Sequence, residues 1–225
     1  MILLKNGKNS RNESMSILIK ENKIHKIFNG NEKIDVESND LQIIELQDKL
    51  ILPGIIDPHT HMRDPGFTAK EDFTTESKAC AKGGITTFMD MPNTNPATIT
   101  YESLLSKKKI AKQKSIVNYG FHFGGSRSNN IEEIKKVIEK NAACAVKVFL
   151  NVSTGEMLVE DDEILNGIFE NSELIMVHAE NEMIDKAAEL VKKHKKRLYV
   201  CHISSKSEME KVIKYKNDAV NNDYE

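Results

Sequence analysis

The chain has 225 residues, of which 32 are basic and 34 acidic, with a formal net charge of −2 and 39% apolar residues. This balance gives no indication of binding nucleic acid or an acidic membrane through bulk charge, and no run approaches the roughly 18 apolar residues of a membrane span. The three cysteines, Cys80, Cys144 and Cys201, do not suggest a disulfide framework, and the N-terminus lacks the features of a signal peptide. We therefore expect a cytoplasmic protein with free thiols.

Residues 1–52 are predicted to form a small β-sandwich-like domain. Short apolar runs alternate there with turn residues, and the dipeptides Asn6-Gly7 and Asn29-Gly30 between such runs are strong β-hairpin signals. No stretch in this part has the length and periodicity of a helix. It contains no constellation of catalytic residues, and His25 lies within a strand pattern, where a surface position is the simpler interpretation.

The remainder, residues 53–225, shows strand-like runs that alternate with helix-length segments. Each strand–helix unit takes about 30 residues, the size of a βα repeat, and such alternation predicts a parallel sheet with right-handed crossovers. The runs begin near Ile55, Ile85, Ser115, Ala145, Leu174 and Arg197, and the helical segments are 69–82, 101–114, 130–141, 161–171, 181–195 and 206–217.

Two architectures fit this alternation: a doubly wound open sheet and a (β/α)8 barrel. The glycine fingerprint of a dinucleotide-binding fold does not follow the first strand, where a His-x-His pair stands instead. Polar residues also follow several different strands, as in a barrel enzyme. We therefore predict an α/β fold, a TIM-like (β/α)8 barrel, of which about six units are visible before the chain ends.

Histidines end three of the strand-like runs. His59 and His61 follow the first run, and because they are two residues apart on an extended segment, their side chains point to one face. A His-x-His pair alone is a weak signal, and structural histidines are the alternative interpretation. His178 and His202, however, close the fifth and sixth runs, and the carboxyl ends of barrel strands converge on one mouth. Together the four histidines favour a shared metal site.

Three further polar residues lie in strand-like runs or just beyond them. Lys147 lies inside the fourth run, where a charged amine is costly unless it is modified, pairs with a carboxylate or extends outward. Arg63 carries a planar fork that suits a substrate carboxylate, and Asn93, just past the second run, could hydrogen-bond the same group. A surface ion pair for Arg63 and an Asx turn for Asn93 are the alternatives.

The sequence resembles the cyclic amidohydrolases and, more narrowly, the dihydroorotases. The resemblance rests on H-x-H-x-R-x-P-G within residues 53–66 and on M-P-N-T-x-P at 91–96, a pair that is specific for dihydroorotases among their relatives. It extends in the same order through four more segments, 146–150, 153–158, 177–181 and 201–205. The resemblance therefore covers essentially all of the chain from residue 50.

The resemblance implies a site with two zinc ions at the mouth of the barrel. If this chain follows the family pattern, His59 and His61 would bind one ion, and His178 and His202 would bind the other. Lys147, carbamylated by carbon dioxide, would present an anionic group that bridges both ions. A homodimer is also in keeping with the family.

The resemblance further implies a small-molecule substrate and an activity. Arg63 and Asn93 would bind the carboxylate of dihydroorotate or N-carbamoyl-L-aspartate, which dihydroorotases interconvert in de novo pyrimidine biosynthesis. The family's general acid–base aspartate, expected in a D-x-A-P-H segment after the eighth strand, does not occur in this sequence. We interpret the chain as an N-terminal fragment truncated before strands 7 and 8, place that aspartate beyond residue 225, and expect no hydrolysis by the chain alone.

Two alternatives remain open. Another cyclic amidohydrolase, such as a hydantoinase or an allantoinase, would share the metal ligands, although Arg63 with Asn93 favours an acidic ring substrate. A non-catalytic dihydroorotase homologue could instead serve as an assembly partner of aspartate carbamoyltransferase. Such homologues generally lose metal ligands, whereas all five candidate positions are filled here.

Overall fold

The computed structural model describes residues 1–30, 32–36, 38–153, 156–222 and 224. Two residues of the motif at 153–158, Thr154 and Gly155, lie outside the described residues. The chain divides into two compact units, Met1–Gly54 and Ile55–Glu225. Within the described ranges, no helix has the length and apolar character needed to cross a membrane.

The first unit is a four-stranded sheet with the strand order β3-β2-β1-β4. Its strands are β1 (Ile2–Lys8), β2 (Ser14–Lys20), β3 (Lys23–Asn29) and β4 (Gln42–Glu45). The first three pair antiparallel, whereas β4 pairs with β1 in parallel. Leu3, Leu18 and Phe28 are buried together and form the core of this unit.

The hairpin between β2 and β3 turns at Glu21 and Asn22, whose φ angles are 51° and 61°. Two positive φ values in a two-residue loop are typical of a type I′ turn, which matches the twist of the flanking strands. The prediction of a hairpin turn at Asn6-Gly7 is wrong. A register shift between Leu4 and Gly7 makes this dipeptide a bulge inside β1.

The second unit alternates strands and helices along the chain, and its helices connect parallel strands. The strands are β5 (Ile55–Thr60), β6 (Ile85–Asp90), β7 (Asn118–Phe121), β8 (Phe123–Gly124), β9 (Val146–Phe149), β10 (Leu174–His178) and β11 (Arg197–Val200). The helices are α1 (Phe73–Lys82), α2 (Tyr101–Lys114), α3 (Ile131–Glu139), α4 (Asp162–Glu170), α5 (Glu182–His194) and α6 (Lys206–Asn222).

Neighbouring strands of the second unit follow chain order. One sheet contains β5-β6-β7 and the other β8-β9-β10-β11. The two short strands β7 and β8 are halves of the predicted third strand, which bends at His122 and pairs with β6 on one side and β9 on the other. This strand begins at Asn118 rather than Ser115, because the Ser115 hydroxyl donates to the Val117 carbonyl (2.8 Å) in a turn. The strands β5 and β11 lie at the outer edges, and Ile55 and Ile56 of β5 are exposed.

Helix α1 starts four residues later than the predicted segment 69–82. The Asp72 carboxylate accepts hydrogen bonds from the backbone amides of Thr74 and Thr75, both at 2.9 Å, and the Thr75 side chain bonds back to the Asp72 amide. This reciprocal arrangement is a capping box, which satisfies amides that the first helical turn leaves without partners. The helix therefore begins at Phe73, directly after its cap.

The core of the second unit contains a cluster of aromatic rings between α1 and the strands β6 and β7. Phe73 stacks on Phe88 with ring centroids 6.0 Å apart and meets Phe121 edge-on at 6.1 Å. All three side chains are essentially inaccessible to water. Burial of this kind contributes about 1.5–3 kcal/mol for each large apolar side chain, so the cluster fixes α1 against the sheet.

We predict that Phe88→Ala lowers the free energy of unfolding by about 3–5 kcal/mol, because it leaves a cavity in this cluster. Ile116→Ala is the control, since that side chain is 60% exposed and loses little buried area. Urea denaturation of the two variants measures the difference. Equal losses in both variants would show that Phe88 is not part of a tightly packed core.

Candidate functional site

The four histidines singled out in the sequence lie close together. His59 belongs to β5, His61 follows that strand, His178 is the last residue of β10 and His202 comes two residues after β11. The ring centroid of His59 lies 5.4 Å from that of His61 and 5.3 Å from that of His202. His202 and His178 are closer still, with centroids 4.7 Å apart and a hydrogen bond of 3.0 Å between Nε2 of His202 and Nδ1 of His178. The convergence of strand ends thus brings the predicted histidines together.

These imidazoles do not form a finished metal site. Among the described residues, no group of three or more His, Cys, Asp or Glu side chains has the arrangement that would hold a metal ion. The hydrogen bond between His178 and His202 occupies two nitrogen atoms that could serve as ligands. Uptake of an ion at this point requires both rings to give up that bond and turn their lone pairs toward the metal.

The electrostatic environment favours neutral imidazoles, which are the form that binds metal ions. Burial lowers the pKa of His59 to about 3, with a further contribution from the nearby charge of Lys147. Burial also lowers the pKa of His61 to about 4, with Arg63 as the next contribution. The pKa of His178 is lowered by burial and then by His202. The donor set therefore fits a cation at neutral pH.

Lys147 lies in β9 and is only 1% exposed, so it does not extend outward to solvent. Its Nζ donates a hydrogen bond of 2.9 Å to Sγ of Cys201, and no carboxylate pairs with it among the described residues. Burial lowers the pKa of the Lys147 amine. A lowered pKa increases the share of neutral amine, the form that reacts with carbon dioxide. This environment fits the bridging carbamate that the sequence resemblance implies.

Arg63 and Asn93 lie beside His61. The Asn93 side chain is buried and hydrogen-bonds His61, and the charge of Arg63 acts on the same imidazole. Arg63 has a φ of 62°, a left-handed backbone conformation that is uncommon for a side chain of this size. The two loops also contact each other, since the Asn95 amide donates to the Pro65 carbonyl at 3.2 Å. The structure therefore brings both predicted carboxylate-binding residues to the His-x-His pair.

His122 is a residue of this site that the sequence analysis missed. It is 2% exposed at the bend between β7 and β8, and its Nε2 lies 2.9 Å from the carbonyl oxygen of Pro58. Its buried Nδ1 has no hydrogen-bond partner in the part of the chain that the structure describes. A histidine between Phe121 and Phe123 at the end of a strand was an available signal. The sequence predicts one unbroken strand that begins near Ser115, whereas the structure has two short strands, β7 and β8, with His122 between them.

Glu208 of α6 connects the two loops that carry His178 and His202. Its Oε2 accepts from the Ser204 and Ser205 amides at 3.0 and 3.1 Å, while Oε1 accepts from the Asn181 amide at 3.3 Å. The side chain is 6% exposed. A buried carboxylate with three backbone donors holds these loops at a fixed separation.

The family of this chain is decided by its match to known sequences. The model of the amidohydrolase family matches residues 50–224. The chain belongs to the amidohydrolase family. The resemblance drawn from the motifs is thereby confirmed, and the site lies within the matched part of this amidohydrolase.

Curated relatives of this amidohydrolase include several dihydroorotases. That of Methanosphaera stadtmanae is 31% identical over 243 residues, which cover 93% of this chain and 54% of the relative. That of Methanosarcina acetivorans is 36% identical over 187 residues, which cover 80% of this chain and 39% of the relative. This chain thus spans about half the length, or less, of the curated relatives it matches.

Solved structures confirm the predicted α/β barrel fold. The L-hydantoinase (dihydropyrimidinase) from Arthrobacter aurescens superposes with a TM-score of 0.85 at 27% identity, covering 99% of this chain and 57% of that one. The inactive dihydroorotase-like domain of the Chaetomium thermophilum CAD-like multifunctional protein has a TM-score of 0.63 at 16% identity, covering 74% and 49%. This second likeness concerns the fold alone. The six consecutive strand positions therefore form part of a TIM-like barrel of the amidohydrolase type.

We predict that the metal-free chain loses stability in acid, because His122 is buried in its neutral form. Burial lowers the pKa of His122 from its ordinary value of 6.5 to about 4. Between these values the unfolded chain binds more protons than the folded chain, so the free energy of unfolding falls as the pH is lowered through this window. We expect His122→Asn to reduce the pH dependence measured by urea denaturation between pH 6.5 and about 4.

His25→Asn provides the control for this measurement, because His25 is exposed on β3. It should leave the slope of stability against pH unchanged. The slope that remains in His122→Asn should come from other buried histidines, such as His59 and His61. An unaltered slope in His122→Asn would contradict the assignment of a buried, neutral imidazole at this position.

Proposed function

We propose that this amidohydrolase chain carries the metal-binding and substrate-binding parts of a dihydroorotase. The activity would be the reversible conversion of dihydroorotate to N-carbamoyl-L-aspartate in pyrimidine biosynthesis. The observation that carries the proposal is the meeting of four histidine side chains with Arg63 and Asn93 at one set of strand ends. Similarity to curated dihydroorotases supports the proposal. This chain spans only part of the length of those relatives, so the proposed activity is that of the whole protein.

The residues that would hold metal form two pairs around a central lysine. His59 and His61 would bind one zinc ion, His178 and His202 would bind the other, and carbamylated Lys147 would bridge them. When bound, such ions polarise a carbonyl group and lower the pKa of water to near neutrality. The lowered pKa values of His59, His61 and His178 and the buried amine of Lys147 support this assignment.

Arg63 and Asn93 would orient the substrate. The guanidinium group of Arg63 can bind a carboxylate through two parallel hydrogen bonds, which fix its direction as well as its position. The hydrogen bond between Asn93 and His61 couples the substrate-binding pair to the metal-binding pair. With the carboxylate held in this way, the ring amide takes a defined place over the histidines, which lowers the entropic cost of the reaction.

Proton transfer is a separate step of the proposed reaction. Hydrolysis of the ring amide needs a general acid–base group to protonate the departing nitrogen. The resemblance assigns that step to an aspartate in a D-x-A-P-H segment, a motif that this sequence does not contain. We therefore assign only metal and substrate binding to the residues described here, and the proposed turnover belongs to the whole protein.

Hydantoinase activity is the second candidate, favoured by the superposition on the Arthrobacter aurescens L-hydantoinase at 27% identity. Hydantoin rings lack the carboxylate of dihydroorotate, so a hydantoinase has no need of a cationic group at Arg63. The partly buried position of Arg63 next to His61 supports the acidic substrate.

The cytoplasmic location and the homodimer expected from the sequence belong to the proposal of a dihydroorotase. The free thiols of Cys80, Cys144 and Cys201 accord with a reducing compartment.

We predict that the purified chain takes up about two zinc ions, as expected for a site with two ligand pairs. Elemental analysis after incubation with zinc and gel filtration measures the content. His202→Ala should lose the ion shared with His178 and retain about one ion, whereas the exposed control His25→Ala should retain both. A folded chain without bound zinc would overturn the metal assignment.

We also predict that Arg63→Ala weakens dihydroorotate binding by about 10-fold to 100-fold, the range for loss of a hydrogen bond to a charged group. Zinc content should stay unchanged, because Arg63 is not a ligand. Calorimetric titration of the zinc-loaded chain gives the affinity. Arg127→Ala is the control, since Arg127 is exposed and pairs only with Glu156 at 3.3 Å among the described residues.

Loss of zinc in Arg63→Ala would reassign Arg63 to the structure of the metal site. Equal weakening of hydantoin binding would favour the hydantoinase.

A further inference from the structure

A buried ion pair lies directly beneath the two loops that carry Arg63 and Asn93. Asp90 is the last residue of β6 and Lys107 lies in α2, and Lys107 Nζ is 2.6 Å from Asp90 Oδ2. Both side chains are completely inaccessible to solvent. Burying two charges carries a large desolvation cost, and apolar residues of similar volume often replace such pairs without loss of stability. The pair therefore calls for an explanation other than stability.

Each member of the pair also bonds the backbone of one loop. Asp90 Oδ1 accepts a hydrogen bond of 2.8 Å from the amide of Met62, which lies between His61 and Arg63. Lys107 Nζ donates a hydrogen bond of 2.7 Å to the carbonyl of Met91, two residues before Asn93. The ion pair thus joins the backbone next to Arg63 to the backbone next to Asn93.

Neither charged group can meet a substrate itself. Both side chains are completely inaccessible to solvent, and the residues whose backbone they bond, Met62 and Met91, are each 1% exposed. Lys107 comes from a helix outside the sheet, and its length allows the ammonium group to reach the strand end. The role that fits these contacts is to hold two substrate-binding loops at a fixed distance.

We propose that the Asp90–Lys107 ion pair is a positioning device that sets the separation and orientation of Arg63 and Asn93. Each charge neutralises the other and bonds the backbone that precedes one of these residues. The proposal rests on the proposed function only in treating Arg63 and Asn93 as the carboxylate-binding pair. A charge-assisted bond resists displacement more strongly than a neutral one, so both loops are held more rigidly than apolar packing would allow.

The double variant Asp90→Asn/Lys107→Met separates positioning from stability. It removes both charges together, so no buried charge is left unpaired. The amide oxygen at residue 90 still accepts from the Met62 amide, and the unbranched methionine keeps most of the lysine volume. The variant lacks a donor to the Met91 carbonyl, so it should fold and yet release the loop that carries Asn93.

Amide hydrogen exchange of the full chain measures this release. The amides of Thr94 and Thr98 both donate to the Pro92 carbonyl at 2.9 Å, and the Cys201 amide donates to the Val177 carbonyl at 3.0 Å on the other sheet. In the double variant we expect Thr94 and Thr98 to exchange about tenfold faster relative to Cys201, as expected for loss of a charged hydrogen bond. Lys109→Met is the matched control, because Lys109 is exposed on the same helix.

Substrate affinity provides the second readout. Calorimetry of the zinc-loaded full chain with dihydroorotate should show about tenfold weaker binding in the double variant, with zinc content unchanged. Exchange ratios and affinity equal to those of Lys109→Met would overturn the proposal and leave the pair a structural element only.

If the unmodified chain binds no dihydroorotate, the proposed function fails, whereas the exchange ratio still decides the positioning role. If the double variant does not fold, Lys107→Arg, which keeps the charge but displaces the donor, is tested in the same way.

Discussion

Removal of ionisable groups from water is the constraint on which the whole site depends. At the strand ends, burial lowers the pKa of His59 to about 3 and that of His61 to about 4, so both rings are neutral at neutral pH. The same burial lowers the pKa of the Lys147 amine. Asp90 and Lys107 are equally buried, and their pairing offsets part of the free-energy cost of burying each charge. The same low-dielectric environment thus keeps these imidazoles neutral and favours pairing of the nearby buried charges.

Buried carboxylates connect the loops on both sides of the barrel mouth. Asp90 bonds the backbone after His61, and Glu208 bonds the backbone after His178 and the segment after His202. In both cases a carboxylate on a regular element satisfies amides of loops that would otherwise have to be solvated. The loops can therefore be irregular, which the positive φ of Arg63 and His202 requires, and still hold their side chains in place.

Local patterns in the sequence account for much of the second unit, and tertiary contacts account for the rest. The alternation of apolar runs and helix-length segments predicts the strands and helices, because parallel strands buried on both faces are uniformly apolar. The late start of α1 depends on the Asp72 cap, whose partners can be recognised only once the helix is known to begin there. Asn6-Gly7 has the sequence of a hairpin turn but lies within a strand, because pairing with β2 overrides local preference. Likewise, no local pattern shows that Asp90 meets Lys107, since that contact depends on the packing of α2.

The bend at His122 explains how the two halves of the site keep their spacing. The segment that contains β7 and β8 bonds β6 through its first half and β9 through its second, while the His122 amide donates to the Asp90 carbonyl at 3.0 Å. His122 also bonds the carbonyl of Pro58, the residue before His59. One bend is therefore tied to the strand that carries His59, to the buried ion pair and to the strand that carries Lys147. Because a parallel barrel must curve between its strands, a bend at the buried His122 lets one residue set both the curvature and the positions of His59 and Lys147.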